Sequence, residues 1–301
     1  MNGILIVDKP TDWTSHDVVA KLRGAFRTKR IGHGGTLDPM ATGVLPIFMG
    51  RATRAASYSE NAQKEYIAGL RLGIVTDTQD TTGNILKEDG IEAAAKISTE
   101  ALTSALETFK GPQKQIPPMY SAIKKEGKKL YELARKGIEI EREARDITIY
   151  EIELYHDKMD SPTCSAFDYY IRVVCSKGTY IRTLCHDIGK LLGCGGTMSY
   201  LQRTRAGAFT LDASHTLDEI LDITSQGHAD GLLLPVDSLF KDNPEITLDE
   251  VKTSKMKNGV SLTLSQEDGI YRFYGPDREF LTLSHITGGK TKIIKGFFEP
   301  A

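Results

Sequence analysis

The chain has 301 residues, of which 40% are apolar and 26% charged, as is ordinary for a soluble globular protein with one large domain or two. Its apolar runs are too short to span a bilayer, and its first ten residues carry neither a basic leader nor a small-residue cleavage site, so we predict no membrane segment and no signal peptide. A net charge of −2 argues against a protein that binds nucleic acid simply through an overall positive charge.

The charges are unevenly distributed along the chain. Residues 21–30 hold five bases and no acid, 110–145 hold ten bases and five acids, and 177–205 hold five bases and one acid. Residues 206–250 compensate with ten acids and one base. Two interpretations of the basic stretches stay open, namely solvated faces or a surface that follows phosphates.

The four cysteines, Cys164, Cys175, Cys185 and Cys194, show no CxxC spacing, which argues against a zinc ribbon. The adjacent Cys185-His186 pair is a weak metal signal on its own. We therefore predict reduced structural thiols, no bound metal and a cytoplasmic location.

In chain order, the first elements alternate between apolar strands and helices. Ser15 is predicted to cap a helix, with Asp17 in its first turn. Gly32-His33-Gly34-Gly35 is predicted to be a loop, because three glycines in four residues disfavour helix and strand alike. The other predictions are strands over Gly3–Val7, Val44–Met49 and Lys64–Leu72, helices over 18–26 and Ser98–Phe109, and a polar turn over Thr76–Gly83.

The character of the chain changes after Gly111. Three prolines and a lysine-rich, weakly helical stretch to about Arg145 predict an insertion that projects from the core. Beyond it we predict strands over Ile147–Tyr155 and Cys164–Cys175, a helix over Thr179–Leu192, and a small β-barrel after residue 240. The lack of a regular βαβ rhythm favours an α+β fold, with domains at 1–240 and 241–301.

The stretch at 34–43, GGTLDPMATG, is the most informative candidate site. Pro39 keeps Asp38 out of the α region, and the glycines allow another backbone to approach. Asp38 is then either a nucleophile or base, or merely the cap of a turn. A dinucleotide fingerprint is excluded, because Leu37 stands where glycine is needed and the loop precedes a strand.

Further candidates each have a structural alternative. Thr179 is predicted to cap a helix that carries Arg182 in its first turn. Arg182 would either form a two-pronged ion pair with a carboxylate and keep it ionised, or lie on the protein surface. Tyr66 would either stack on an extruded base or pack in the core. Asp77 and Asp80 could each pair with Asp38 as glycosidase carboxylates, but a polar turn is the favoured interpretation.

Taken together, long blocks of the sequence resemble the bacterial tRNA pseudouridine-55 synthases, the TruB family. The blocks cover nearly the whole chain in the family's order: ILIVDKPTDWTSHDVV at the start, GHGGTLDPMATGVLPI at 32–47, KEYIAGLRLGIVTDTQD at 64–80, QIPPMYSAIKKEGKKLYELARKGIEIEREAR at 115–145, CSKGTYIRTLCHDIGKLLG at 175–193 and YLQRTRAGAF at 200–209. The resemblance implies a mixed, mainly antiparallel sheet with flanking helices, an RNA-binding thumb at about 111–145 and a C-terminal PUA-like barrel.

The resemblance also implies a reaction without a cofactor, in which a flipped uridine loses its N1–C1′ bond and rejoins C1′ through C5. By matching motif, Asp38 is the nucleophile, Tyr66 stacks on the base, and Arg182 pairs with Asp38. His33 fills the space that the base leaves. Gly34, where the family pattern suggests threonine, would loosen the loop. Two routes stay open: Asp38 attacks C1′ directly, or a glycal intermediate forms.

The implied partner is the T-arm and T-loop of tRNA, bound by a monomer without a nucleotide cofactor or a membrane. Lys9 and Pro10 match the family's first motif, and Tyr180 and Leu201 match pocket-lining positions. The candidate RNA-binding lysines are Lys9, Lys64, Lys124, Lys125, Lys128 and Lys129. Two rival functions remain: a non-catalytic tRNA-binding or folding protein, and a glycosidase or base-exchanging transferase acting on RNA.

Overall fold

The computed structural model describes residues 1–88, 90–125, 127–155 and 168–298. Within these ranges the strands, in chain order, are β1 (Gly3–Lys9), β2 (Ile31–His33), β3 (Thr42–Met49), β4 (Lys64–Leu72), β5 (Val75–Thr76), β6 (Ile85–Lys87), β7 (Gly111–Gln115), β8 (Lys124–Lys125), β9 (Lys128–Lys129), β10 (Arg145–Leu154), β11 (Asp168–Cys175), β12 (Gly196–Ala206), β13 (Phe209–Thr210), β14 (His215–Thr216), β15 (Glu245–Thr247), β16 (Gly269–Tyr274), β17 (Phe280–Thr287) and β18 (Lys290–Gly296). The helices are α1 (Ser15–Ala25), α2 (Ala56–Asn61), α3 (Ile91–Ala94), α4 (Thr99–Glu107), α5 (Leu130–Ala134), α6 (Ile181–Leu191), α7 (Leu217–Ser225) and α8 (Glu250–Lys257). In the described ranges no helix has the length and apolarity that a membrane crossing needs.

The chain's contacts divide it into two compact units. The first unit comprises Met1–Pro39, Val44–Glu60 and Asp212–Ala301, and the second comprises Met40–Gly43 and Asn61–Leu211. The first unit is therefore assembled from three separate stretches of chain. The division into domains at 1–240 and 241–301 stays a prediction.

In the first unit, the buried strand β1 lies between β14 and β3. It pairs in parallel with β14, where Val7 stands opposite His215. Its central residues, 4–7, are at most 1% exposed. A continuous apolar run fits a strand that is buried on both faces, so the predicted strand at 3–7 is confirmed.

The N-cap of helix α1 lies one residue earlier than predicted. Thr14 is the N-cap, since its hydroxyl oxygen accepts the Asp17 N–H at 3.1 Å. The Asp17 carboxylate in turn accepts the Thr14 N–H at 2.9 Å, completing a capping box. Hydrogen bonds from Thr14 hold the pKa of Asp17 below its ordinary value. The predicted cap at Ser15 is therefore wrong, and the Ser15 hydroxyl has a different function.

The C-terminal part of the first unit holds a four-stranded sheet in the order β15-β16-β17-β18 and the helix α8. Leu248, Met256, Phe273, Leu281 and Ile286 form its buried core. The sequence pattern did not predict α8, because only Thr253 and Met256 of this helix are buried. The closed barrel stays a prediction.

The second unit is built on the strand order β7-β10-β11-β4-β12, in which all neighbours are antiparallel. Thr42 and Gly43 pair in parallel with Gln202 and Arg203, in the second half of β12. Gly43 has a φ of 98°, and a Cβ there would lie 2.3 Å from the Arg203 carbonyl oxygen, so only glycine fits. Helix α6 packs against β12 and β4. The α+β fold with a mainly antiparallel sheet is confirmed.

Two predictions about the second half of the chain need correction. The chain does not leave the sheet at Gly111, because β7 pairs with β10 as far as Gln115 opposite Arg145. The lysine-rich stretch lies between these two residues, as the hairpin β8–β9 and the short helix α5. Thr179 does not cap α6: the N-cap residue is Tyr180, and the Thr179 hydroxyl donates to the Ser176 carbonyl at 3.0 Å.

The three described cysteines, Cys175, Cys185 and Cys194, are buried free thiols. Burial raises the pKa of Cys175 and of Cys185 to about 12, so both stay protonated at neutral pH. Cys164, with the predicted start of its strand, lies outside the described residues. Across the described part of the chain, no three His, Cys, Asp or Glu side chains are grouped as metal ligands would be.

Candidate active site

The residue before Asp38 is anchored by a buried hydroxyl group. The Ser15 Oγ accepts the Leu37 N–H at 2.9 Å and lies 3.3 Å from the Leu37 carbonyl oxygen, to which it donates. Ser15 is 1% exposed and Leu37 is 3% exposed. One side chain thus satisfies both backbone groups of Leu37, in a place where no water competes.

The residue after Asp38 is anchored as well. The Pro39 carbonyl oxygen accepts the Lys9 ammonium at 3.1 Å and the Asp12 N–H at 2.9 Å. Because a charged donor makes the stronger bond, Lys9 holds this carbonyl firmly. The half-buried Asp38 therefore lies between two backbone positions that are fixed independently.

Two of the candidate RNA-binding lysines are buried. Lys9 is fully buried, and its ammonium also donates to the carbonyls of Pro10 at 2.7 Å and Trp13 at 2.6 Å. Lys64 is 6% exposed and donates to the Ala62 carbonyl at 2.7 Å. Both organise the backbone around them, and their contact with RNA stays a prediction.

His33 belongs to a strand rather than to a loop. Gly32 and His33 pair with Phe48 and Ile47 of β3, so the predicted loop over 32–35 begins only at residue 34. The His33 ring packs edge to face on His16, with ring centroids 5.2 Å apart. This contact fixes the ring of a residue to which the resemblance gives a place in the pocket.

Gly34 does not loosen the loop, contrary to the expectation from the family pattern. Its N–H donates to the Pro46 carbonyl at 2.8 Å, and its carbonyl accepts the Ser59 hydroxyl at 3.2 Å. A Cβ at this position would lie 2.6 Å from Cε2 of Phe48 and 2.7 Å from the Ser59 Oγ. Those two side chains fill the space that a larger residue would need.

Arg182 lies in the first turn of α6 and is 5% exposed. Its guanidinium donates to the Thr78 carbonyl at 3.2 Å and to the Tyr120 carbonyl at 2.9 Å, and its Nη1 lies 3.5 Å from Asp80 Oδ2. It is not a surface arginine, which removes one of the two interpretations. Its pairing with Asp38 stays a prediction.

Asp80 lies beside Arg182, in the stretch that the sequence predicts to be a polar turn. It is 5% exposed, and its Oδ1 accepts the Thr78 hydroxyl at 2.8 Å and the Thr82 N–H at 3.0 Å, besides the Thr82 hydroxyl. A polar side chain that is buried in this way needs hydrogen-bond partners, and the two threonines supply them. The signal that would have revealed it is a threonine two residues away on each side.

Tyr66 and Leu201 lie on one face of the second unit's sheet. Tyr66 of β4 stands opposite Arg203 of β12, and Ala68, two residues along, stands opposite Leu201. Opposed residues of an antiparallel pair share a face, as do residues two apart on one strand. Leu201 is 5% exposed and belongs to the core, whereas Tyr66 is only half-buried, so part of its side chain is accessible.

Four lysines are concentrated on the hairpin β8–β9. Lys124 pairs with Lys129 and Lys125 with Lys128. Lys124, Lys125 and Lys128 are exposed, and the Lys129 ammonium lies 5.3 Å from the centroid of the Tyr131 ring. Like charges placed this closely repel one another, which an anionic partner would relieve.

Two models of known families match this chain in sequence. The model for the N-terminal domain of TruB family pseudouridylate synthases matches residues 23–181, and the model for the C-terminal domain of tRNA pseudouridylate synthase B matches residues 182–241. The chain belongs to the TruB family of pseudouridylate synthases. The resemblance drawn from the sequence blocks is thereby confirmed.

Relatives of this TruB family chain match most or nearly all of its length. A "tRNA pseudouridine synthase B" of Clostridium tetani is 44% identical over 301 residues, covering 98% of this chain and 99% of the relative. One of Bacillus pumilus is 45% identical over 267 residues, covering 89% of this chain and 85% of the relative.

Solved structures share the fold. A chain of a Cbf5-Nop10-Gar1 complex superposes with a TM-score of 0.72 at 25% identity, covering 98% of this chain and 85% of that one. A chain of an H/ACA RNP bound to a substrate RNA containing 2′-deoxyuridine gives the same TM-score of 0.72 at 23% identity, covering 99% and 86%.

Proposed function

We propose that this chain converts uridine 55 in the T-loop of tRNA to pseudouridine, using Asp38 as its nucleophile and no cofactor. One observation carries the proposal: both neighbours of Asp38 are anchored by buried donors and acceptors, through Ser15 on one side and Lys9 on the other. A catalytic carboxylate has to be held within a fraction of an ångström of its target, and a turn cap does not. Relatives named tRNA pseudouridine synthase B supply the substrate class.

The proposed reaction is an isomerisation that balances without a co-reactant. The N1–C1′ bond of a flipped uridine breaks, the base turns, and C5 bonds to C1′. The C5 proton is lost and N1 gains one, so composition and oxidation state are unchanged. Asp38 interacts with the ribose while the base is detached, and Tyr66 offers a ring on which the extruded base can stack.

Arg182 would keep Asp38 ionised and oriented through a charge-assisted fork. The support for this is that Arg182 is buried and held by two carbonyls and by Asp80, so its charge is fixed in direction. A mobile surface arginine would lose that direction and cost more entropy to order.

The tRNA backbone would be bound by the lysine hairpin β8–β9. Its exposed ammonium groups suit phosphate oxygens, and such contacts supply affinity without sequence selection. Selection of the T-loop would then rest on the residues that receive the extruded base. We propose a cytoplasmic monomer acting on tRNA.

The experiment is to incubate the purified chain with an unmodified tRNA transcript and to map pseudouridine along it. Pseudouridine at position 55, with the RNA mass unchanged, is the expected result. A transcript with cytidine at position 55 is the matched control and should gain none. Base loss or exchange would change the mass and indicate a glycosidase or transferase, and binding without any product would indicate a tRNA-binding protein.

A further inference from the structure

The start of helix α6 is held by a side chain from a distant strand. Gln115, the last residue of β7, is 4% exposed. Its Oε1 accepts the Tyr180 N–H at 2.8 Å, and its Nε2 donates to the Tyr180 carbonyl at 3.0 Å. The primary amide has one acceptor and two donors, so it can pair with both backbone groups of one residue as a neighbouring strand would.

This contact lies at the root of the lysine-rich insertion. Gln115 stands opposite Arg145, so the chain leaves the sheet and returns to it at this pair. Five residues beyond Gln115, the Tyr120 carbonyl accepts the Arg182 guanidinium at 2.9 Å. The root of the insertion therefore contacts the first turn of α6 twice, once at the Tyr180 backbone and once at the Arg182 side chain.

We propose that Gln115 is a positioning residue for the reaction: by holding both backbone groups of Tyr180, it sets the direction in which α6 presents Tyr180 and Arg182. The inference rests on the proposed function, which gives Tyr180 and Arg182 their roles in the pocket. Misplacing a catalytic group by about 1 Å can cost on the order of 100-fold in rate, so a clamp at the helix start matters to catalysis.

The helix should survive the loss of this clamp. The Tyr180 carbonyl also accepts the Leu184 N–H at 3.1 Å, which is the first turn of α6. Removing the glutamine amide leaves that bond in place and loosens the peptide ahead of it. The consequence should therefore be a misdirected helix start in a folded protein.

The first test compares Gln115→Leu with Gln113→Leu. Gln113 lies on the same strand, but its amide donates to the carbonyl of Phe109, which follows α4, and so serves as a control for a contact outside α6. We expect Gln115→Leu to lower kcat for pseudouridine formation roughly 10- to 100-fold while the Kd for tRNA changes only a few fold. Gln113→Leu should keep kcat near that of the wild type. Thermal melting confirms that each variant is folded.

The second test uses Gln115→Glu, which replaces the donating NH2 group of the amide with an oxygen and keeps the size and shape of the side chain. An ionised carboxylate still accepts the Tyr180 N–H but cannot donate to its carbonyl, whereas the protonated acid can. A glutamate has an ordinary pKa of about 4.3, and burial raises it. The ratio of variant to wild-type kcat should therefore rise as the pH falls, and taking the ratio cancels the pH dependence of the other groups.

A third measurement does not depend on activity. Amide hydrogen exchange at Tyr180 should be at least about tenfold faster in Gln115→Leu, while exchange in the last turn of α6 stays unchanged. Unchanged exchange at Tyr180 overturns the inference, as does a folded Gln115→Leu variant with wild-type kcat. If that variant does not fold, a Gln115→Glu ratio that stays flat with pH overturns it instead. A wild-type chain that binds tRNA and forms no pseudouridine refutes the proposed function, and the exchange result still decides whether Gln115 holds Tyr180.

Discussion

At the scale of single residues, buried partners hold the backbone atoms of Leu37 and Pro39, the two neighbours of Asp38. An isosteric change at Asp38 should therefore leave the loop in place. We expect Asp38→Asn to abolish turnover and to leave the Kd for tRNA within a few fold, because phosphate contacts supply most of the affinity. Single-turnover assays and filter binding measure the two effects. A residual rate within about tenfold of the wild type would remove Asp38 from its role.

Asp80 provides a second prediction at this scale, because its charge is buried beside Arg182. Asp80→Asn keeps the shape but leaves the guanidinium without its carboxylate, which for a buried pair typically costs about 3 kcal/mol. We expect Asp80→Asn to lower both the melting temperature and kcat. Asp77→Asn is the matched control, since Asp77 lies in the same turn and accepts its hydrogen bonds from Asn84. Equal effects of the two substitutions would contradict a special role for Asp80.

At the scale of elements, the hairpin β8–β9 carries a prediction about ionic affinity. Changing its four lysines to alanine should raise the Kd for tRNA and flatten its dependence on salt, by about 0.7–0.9 in log–log slope for each phosphate that a lysine no longer neutralises. The same four changes to arginine keep the charge and should keep the slope. Affinity measured from low to moderate salt tests both. An alanine variant with the wild-type slope would mean that the hairpin does not contact RNA.

The central strands of the second unit are joined by an ion network around Glu65 of β4. Its carboxylate lies 2.8 Å from Arg172 of β11 and 3.6 Å from Arg205 of β12, and it accepts the Thr204 hydroxyl at 2.8 Å. Burial acts to raise the pKa of Glu65, but the hydrogen bonds from Thr204 and Arg172 and the nearby arginine charges outweigh it, so this pKa lies below its ordinary value.

The direction of that shift determines how stability depends on pH. A carboxyl whose pKa is depressed by folding stabilises the protein above its unfolded pKa, and this contribution is lost as the pH falls through the folded pKa. Glu65→Gln should therefore reduce the free energy of unfolding at neutral pH, on the order of 1 kcal/mol for a partly exposed pair. The difference from the wild type should shrink below about pH 4.3, the ordinary pKa of glutamate. Urea unfolding at several pH values measures this difference in the free energy of unfolding. A difference that does not vary with pH would contradict the stabilising role of the ionised Glu65.

At the scale of the whole molecule, local patterns predicted the strands and left the contacts between distant residues unknown. The strand at Lys64–Leu72 was predicted with its observed bounds, because side-chain alternation is a property of neighbouring residues. The cap of α1 was off by one residue, because Thr14 and Ser15 have the same capping chemistry. The bond from Gln115 to Tyr180 spans 65 residues, and no local pattern contains it.

The C-terminal sheet shows the same limit. Its strands were predicted from glycine turns, but its packing was not. Phe240 lies with its ring centroid 5.0 Å from that of Tyr58 and 6.0 Å from those of Phe280 and Phe297, within the first unit. Arg54 also donates to the Gly296 carbonyl at 2.9 Å. Aromatic contacts of this kind join segments far apart in sequence, so a boundary placed by composition near residue 240 could not foresee them.

The three-stretch construction of the first unit has a consequence for how this chain is made. Strand β1 is among the first residues to leave the ribosome, yet its parallel partner β14 is synthesised only after Leu211. Nearly all of the second unit is one continuous stretch, 61–211, which is complete by then. Contacts close in sequence form first and those far apart form last. One edge of β1 therefore waits through most of synthesis for β14, whereas β3, its neighbour on the other edge, and the residues that anchor the Asp38 loop are all made within the first fifty residues.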